Sequence, residues 1–228
     1  MTVQSSVSVR AQPADRAPGT DLALARAAMV ESQLRPQGVT DAAVLGAMGE
    51  IERERFVPEQ ARALAYIDRA VPLGGGRFLP APAVLGALLT QMAPRPGQRA
   101  LVVGAGTGYS VAVLSAMGLE VVGVESAVEL AARAGELGVD VHDAPLEGGH
   151  AEGAPYDQIL IDGAVSDIPA AIIGQLADGG TLGAALIDRG VSRLIVGRKA
   201  GGAFGYLTVS DAGSPPLPGF ERPRSFTF

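Results

Sequence analysis

From Gln98 to Leu186, short apolar β-type runs alternate with helical windows, and this alternation restricts the fold more than any other feature of the sequence. Leu101-Val102-Val103, Val121-Val122-Gly123-Val124, Val139 to His142, Gln158-Ile159-Leu160-Ile161 and Thr181 to Leu186 read as strands. Between them, Ser110 to Met117, Ala127 to Leu137 and Ile168 to Leu176 read as helices. Continuous apolar strands are those buried on both faces. The pattern therefore predicts an α/β fold, a mostly parallel sheet with helices on both faces. Ser192 to Val196 and Gly205 to Val209 flank Gly201-Gly202 and predict an antiparallel C-terminal hairpin at one edge.

The first hundred residues read differently. Asp21 to Val30 has helical composition with Asp21 as an N-cap, and Pro36 and Gly38 stop it. Thr40 or Asp41 can cap a second helix through Ala47 and Met48. Val71-Pro72-Leu73-Gly74-Gly75-Gly76 reads as a loop, and Pro82 to Met92 as a helix opened by its proline. Met1 to Thr20 is rich in Ser, Gln, Pro and Ala and reads as a disordered tail without the apolar core of a secretory signal. The expected organisation is one compact domain: the tail 1–20, an N-terminal helical extension on the substrate side over 21–97, and a ligand-binding core over 98–228.

Composition excludes several classes. Apolar residues make up 47%, enough for a full core. The net charge of −6, the 4% aromatic content and the lack of any Lys/Arg run argue against nucleic-acid or anionic-membrane partners. With no cysteine there are no disulfides, zinc–thiolate clusters or thiol nucleophiles. His142 and His150 are the only imidazoles, too few for a histidine metal site, and structural or solvated roles are expected for both. No stretch is apolar enough to span a bilayer, so the cytoplasm is the expected location.

The chemistry centres on Gly104-Ala105-Gly106-Thr107-Gly108, between the strand ending at Val103 and the helix beginning near Ser110. Glycines there allow a tight turn and a close approach of ligand to main chain, and the helix start offers unpaired N–H groups. Glu125 lies 21 residues beyond Gly104 at the end of the next strand, where a carboxylate can accept hydrogen bonds from both ribose hydroxyls of an adenosine. A dinucleotide fingerprint needs a third glycine at position 109, which is Tyr109. The spacing G-x-G-x-G is the methyltransferase form, so S-adenosylmethionine is the expected cofactor and S-adenosylhomocysteine its product. A plain tight turn without a ligand is the competing reading of the glycines, and a solvated strand-end carboxylate that of Glu125.

From about Met29 onward the chain resembles the protein-L-isoaspartate O-methyltransferases. Met29-Val30-Glu31-Ser32-Gln33-Leu34-Arg35 with Gly38-Val39-Thr40-Asp41 is similar to the family's opening helices. Arg55-Phe56-Val57-Pro58-Glu59 resembles its R-x-F-V-P-E signature, with Arg53 or Arg55 as the basic residue. Ala65-Tyr66-Ile67-Asp68 through Pro72-Leu73-Gly74 resembles its A-Y-x-D-x-x-x-P-I-G segment, with Tyr66 and Asp68 expected to pack and anchor loops. Ala154-Pro155-Tyr156-Asp157-Gln158-Ile159, then Ile168-Pro169, Gln175-Leu176 and Gly179-Gly180, continue the match in order. The resemblance implies a Rossmann-like methyltransferase fold and methyl transfer to an isoaspartyl carboxylate of a damaged protein or peptide. An acceptor carboxylate with a pKa near ~4 is already ionised at neutral pH, so such a reaction needs alignment and desolvation rather than a general base.

The expected cofactor residues are Val103, Gly104, Ala105, Gly106, Gly108 and Tyr109 at the turn, and Glu125 with Ser126 at the next strand end. Pro145 and Leu146 are expected beside the adenine, and Asp162 with Gly163 at the strand edge facing the sulfonium or the substrate. For Asp162 a loop-capping role is the alternative. The chain departs from the family's G-Q-T-I-S-Q-P segment, whose Ser is the usual active-site residue: it reads Gly76-Arg77-Phe78-Leu79-Pro80-Ala81-Pro82. Arg77, Phe78, Leu79 and Pro80 become the expected substrate-binding stretch, with Arg77 either a partner for the acceptor carboxylate or simply solvated. Val102 stands where an acid is usual, and Ala144-Pro145-Leu146 stands at the family's G-D-G, whose Asp meets the adenine edge; Asp143 just before it is one substitute and main-chain groups around Leu146 are the other. These departures leave a second reading open: a member that methylates another acceptor, or one that senses the cofactor without catalysis.

Overall fold

The computed structural model describes residues 18–211 and 213–220. A seven-stranded sheet forms the centre, with strands β3 (Arg99–Val103), β4 (Glu120–Glu125), β5 (Val141–Asp143), β6 (Tyr156–Val165), β7 (Leu176–Asp188), β8 (Val191–Ala200) and β9 (Ala203–Ser210) in the order β5-β4-β3-β6-β7-β8-β9. The first five of that order run parallel, and β8 and β9 close the edge as an antiparallel hairpin. The α/β reading and the C-terminal hairpin turning on Gly201-Gly202 are as the patterning predicts. Successive residues of β3 enter opposite cores. Ala100 and Val102 pack with the N-terminal helices and α4 (Tyr109–Ala116), whereas Leu101 and Val103 pack with Ile172 of α6 (Ala170–Gln175). Such double burial is why β3 has no polar alternation.

The N-terminal region covers one face with α1 (Pro18–Met29), a π-helical turn Val30–Leu34, α2 (Ala42–Glu50) and α3 (Pro82–Met92). Asp41 caps α2 by accepting from the amides of Ala43 and Val44. Asp21 is not an N-cap: α1 begins at Pro18, so Asp21 lies within its first turn. The expected tail of 1–20 falls outside the described residues up to position 17, and 18–20 belong to α1. The expected loop at Val71–Gly76 is instead half of a small hairpin: β1 (Val71–Gly74) pairs antiparallel with β2 (Arg77–Leu79). Proline at the second position of an edge strand costs no ladder bond, and the glycines Gly74, Gly75 and Gly76, all at positive φ, make the turn. The helix expected over Ile168 to Leu176 is shorter, because Leu176 already opens β7. Among the described residues no helix is long and apolar enough to cross a membrane.

Candidate functional site

The sheet order changes direction between β3 and β6, the switch point at whose carboxyl edge open α/β sheets bind ligands. The glycine turn leaves β3 at this edge, with Gly104, Gly106 and Gly108 all at positive φ. Main-chain bonds fix it: Gly104 and Ala105 N–H donate to Val124 O, and Gly108 N–H donates to Ala105 O. Protein atoms press on all three glycines. A Cβ at Gly104 would lie 2.8 Å from Leu217 Cδ2, one at Gly106 2.9 Å from Leu73 Cδ1, and one at Gly108 2.7 Å from Val139 Cγ1. Close approach is therefore a physical requirement here, which local sequence signals and an apolar tail meet together.

Glu125 and the turn form one unit. The carboxylate is fully buried at the end of β4 and accepts from Gly106 N–H at 2.7 Å, Ser126 N–H at 2.9 Å and Ala127 N–H at 3.0 Å. Arg77 completes the set: Nη2 donates to Oε2 at 2.8 Å and Nε to Oε1 at 3.1 Å, and the same Nη2 donates to Gly104 O at 3.0 Å. Burial on its own pushes the Glu125 pKa up, but the Arg77 hydrogen bond and charge and the amides of Ala127 and Gly106 outweigh it and hold it below the ordinary range.

Asp162, buried on β6, accepts from Ser110 Oγ in α4. Burial pushes its pKa up to about 6, against the lowering effects of Ser110, Arg77 and Arg53. Arg53 is entirely buried. Its Nε donates to Ala65 O at 2.7 Å and Nη2 to Pro80 O at 2.5 Å, and its guanidinium lies 4.7 Å from the centroid of the Tyr109 ring. Burial lowers its pKa, opposed by Tyr109. Arg55, the other basic residue of that segment, is exposed beside Glu52.

Beyond Glu125 the edge opens into a cleft of about 510 Å³, lined by Ser126, the Asp143–Glu147 run, Pro218 and Gly219. The structure thus gathers three of the expected groups along one edge: the turn, the strand end Glu125-Ser126, and Pro145-Leu146. Asp162 and Gly163 join from β6. The expected acceptor stretch is less accessible. Leu79 is 2% exposed and belongs to the core, Pro80 is buried with its carbonyl taken by Arg53, and Arg77 faces Glu125 rather than solvent. Only Phe78 of the four is half-exposed. His142, exposed beside Asp140, stacks on His150 with ring centroids 4.7 Å apart, and His150 meets the Tyr156 hydroxyl. Asp68 accepts from Ala83 N–H at the start of α3, an anchoring role, and the Tyr66 hydroxyl reaches Glu54.

Sequence reasoning missed three contributors: Arg53 as the buried member of its pair, Ser110 as the partner of Asp162, and Leu217. The available signal for Leu217 was Pro215-Pro216-Leu217-Pro218-Gly219-Phe220, an apolar proline-rich run after a closed hairpin.

Turn, acid and cleft on this sheet define an S-adenosylmethionine-dependent methyltransferase. The family is decided by comparison with known proteins. The family model described as "Protein-L-isoaspartate(D-aspartate) O-methyltransferase (PCMT)" matches residues 25–203. A protein-L-isoaspartate O-methyltransferase of Methylorubrum populi is 44% identical over 165 residues, covering 69% of this chain and 77% of that protein. One from Koribacter versatilis is 35% identical over 207 residues, 88% of this chain and 93% of that protein. Among solved structures, a beta-aspartate methyltransferase from Plasmodium falciparum in complex with S-adenosyl-L-homocysteine shares the fold, with a TM-score of 0.72 at 22% identity over 84% of this chain and 98% of that one. The chain belongs to the protein-L-isoaspartate(D-aspartate) O-methyltransferase family, S-adenosylmethionine-dependent enzymes that act on protein substrates.

Proposed function

We propose that the chain methylates isoaspartyl carboxylates in damaged proteins or peptides, with Glu125 holding the cofactor's ribose and the Ser126/Pro145/Leu146 cleft its adenine. The observation that carries this reading is the bond from Gly106 N–H to Glu125, which makes the ribose acid and the glycine turn a single rigid element. The fit to the cofactor is supported by the buried carboxylate at the end of β4 and by a cleft within the usual size range for small-molecule sites. S-adenosylmethionine, when bound, supplies a methyl group on an electrophilic sulfonium.

The protein's own work is then modest. The turn and Glu125 orient the ligand, and Asp162 sets a negative group at the edge of β6. Because the acceptor is an ionised carboxylate, no residue has to remove a proton from it. We further infer that this member lacks the family's active-site hydroxyl, since Arg77-Phe78-Leu79-Pro80 contains none. Arg77 is the residue of matching charge for an acceptor carboxylate.

Labelled S-adenosylmethionine offered with an isoaspartyl peptide tests the reading. The expected product is a base-labile methyl ester on the peptide, absent with the aspartyl isomer. The hydroxyl-free stretch and the withdrawn Leu79 and Pro80 favour a second reading, another acceptor or a cofactor sensor. Cofactor binding without transfer to the isoaspartyl peptide would decide for it.

A further inference from the structure

We propose that Arg77 and Leu217 are internal competitors of the cofactor, so that this chain closes its own ligand site and opens it only by moving both. Arg77 comes first. The β1–β2 register sets it on the inward face of β2, 4% exposed, with its guanidinium forked on the Glu125 carboxylate. With three main-chain amides also donating to it, Glu125 has a full set of donors. A ribose diol is accepted there only if a donor leaves. The amides belong to the backbone of the turn and of the start of α5 (Val128–Glu136), whereas Arg77 reaches Glu125 through its side chain, the one donor that can leave without moving the main chain.

Leu217 meets the same end of the turn, where Gly104 lies between it and Arg77 Nη2. The segment 213–220 is hung on β6: Ala164 N–H donates to Pro215 O and Leu217 N–H to Ala164 O, both at 2.8 Å. This places the Leu217 side chain on the bare main chain of Gly104 and Gly163, where a Cβ at Gly163 would lie 2.6 Å from Leu217 Cγ. These two glycines end β3 and line β6, the walls of the switch point itself. Phe220, buried in the second core, anchors the far end of the strap, and Gly219 passes beside Glu147 at the open cleft. A cation thus stands on the ribose acid and an isobutyl group on the glycine walls, while only the adenine end is left open. A ligand that enters adenine-first must expel Arg77 and then Leu217.

The inference rests on the cofactor assignment above, and S-adenosylhomocysteine titrated calorimetrically into the full chain tests the two separately. With the closed form favoured about ten to one, Arg77→Gln or Leu217→Ala should each tighten binding by up to about tenfold, because the fraction competent to bind rises. Arg77→Lys, which keeps the charge but loses the fork, should give a smaller gain and stands in should Arg77→Gln fail to fold. Glu125→Gln should weaken binding. Amide exchange at 213–220 should become faster once the ligand is bound. Wild-type binding that neither Arg77 variant strengthens would overturn the inference alone. Unchanged affinity for Leu217→Ala together with unchanged exchange would overturn the part played by the strap. Failure of every form to bind would overturn the cofactor assignment and the inference with it.

Discussion

Two arginines from the N-terminal region are buried near the glycine turn, one on the Tyr109 ring that follows it and one on Gly104 and Glu125, and they are held differently. Arg53 donates to two carbonyls, Ala65 O and Pro80 O, and lies on the Tyr109 ring. Arg77 forks onto the Glu125 carboxylate and gives only one bond, from Nη2, to a carbonyl, Gly104 O. A cation held by main-chain carbonyls and a ring has nothing to exchange with, since those partners are themselves parts of the fold. A cation held by a carboxylate is exchangeable, because any other donor that reaches the carboxylate can replace it. Arg53 is therefore a brace between the hairpin, the helix start and the 3-10 turn Glu59–Leu64, which precedes Ala65. Arg77 is a removable occupant.

The largest expected effect follows from the brace. Arg53→Met leaves two buried carbonyls without donors and should cost about 4 kcal/mol in urea unfolding. If the loss is under about 1 kcal/mol, those carbonyls have found other donors and the contrast between the two arginines collapses. Arg77→Met should cost less, about 3 kcal/mol, because Glu125 keeps three amides and can take up a proton. Combined with Glu125→Gln, the double variant should be more stable than the sum of the singles predicts, and strict additivity would show that the pair is not coupled.

How much of this was legible in the sequence depends on the range of the physics involved. The alternation from Gln98 to Leu186 is local, since apolar runs and helical spacing declare themselves within ten residues, and the sheet followed from it. The turn and Glu125 were legible because strand, glycines and acid are fixed by one β-α-β unit. Arg53 and Arg55 are the same residue type two positions apart, and only the packing of Phe56 on Tyr109 and the path to Ala65 decide which one is buried. Arg77 reads as a loop residue because β2 is three residues long and its partner carries proline and glycine. Leu217 lies in a run with no periodicity at all, and its place is set by a bridge to Ala164 that no local pattern encodes.

Asp162 feels both arginines and measures them against each other. Its pKa, raised from 3.8 to about 6 chiefly by burial, lies above that of the unfolded chain, so the folded state binds the extra proton. The stability this contributes is fully present below the unfolded value and is lost as pH rises toward about 6. Between pH about 4.5 and pH about 7 the loss should be about 2 kcal/mol, read as the difference in pH dependence between the wild type and Asp162→Asn. Arg77 ranks ahead of Arg53 among the charges that lower this pKa. Arg77→Met should therefore move the window to higher pH more than a substitution of Arg53 that keeps the fold; the reverse order would make Arg53 the counterion and leave Arg77 bound to Glu125 alone.

The smallest effect isolates the hydrogen bond from the charges. Ser110 Oγ donates to Asp162 from the first turn of α4 and favours the ionised carboxylate. Ser110→Ala removes that donor without touching either arginine. It should cost about 1 kcal/mol at neutral pH, where Asp162 is ionised, and almost nothing below the unfolded pKa, where the carboxyl is neutral in both states. The Asp162 titration, followed by carboxyl carbon shifts, should move upward. A variant equally destabilised at both pH values would mean that Ser110 acts by packing. Asp162 would then be lowered by the charges of Arg77 and Arg53 and raised by Glu125 and burial, which turns the contrast between the arginines from one of partners into one of distance to a single acid.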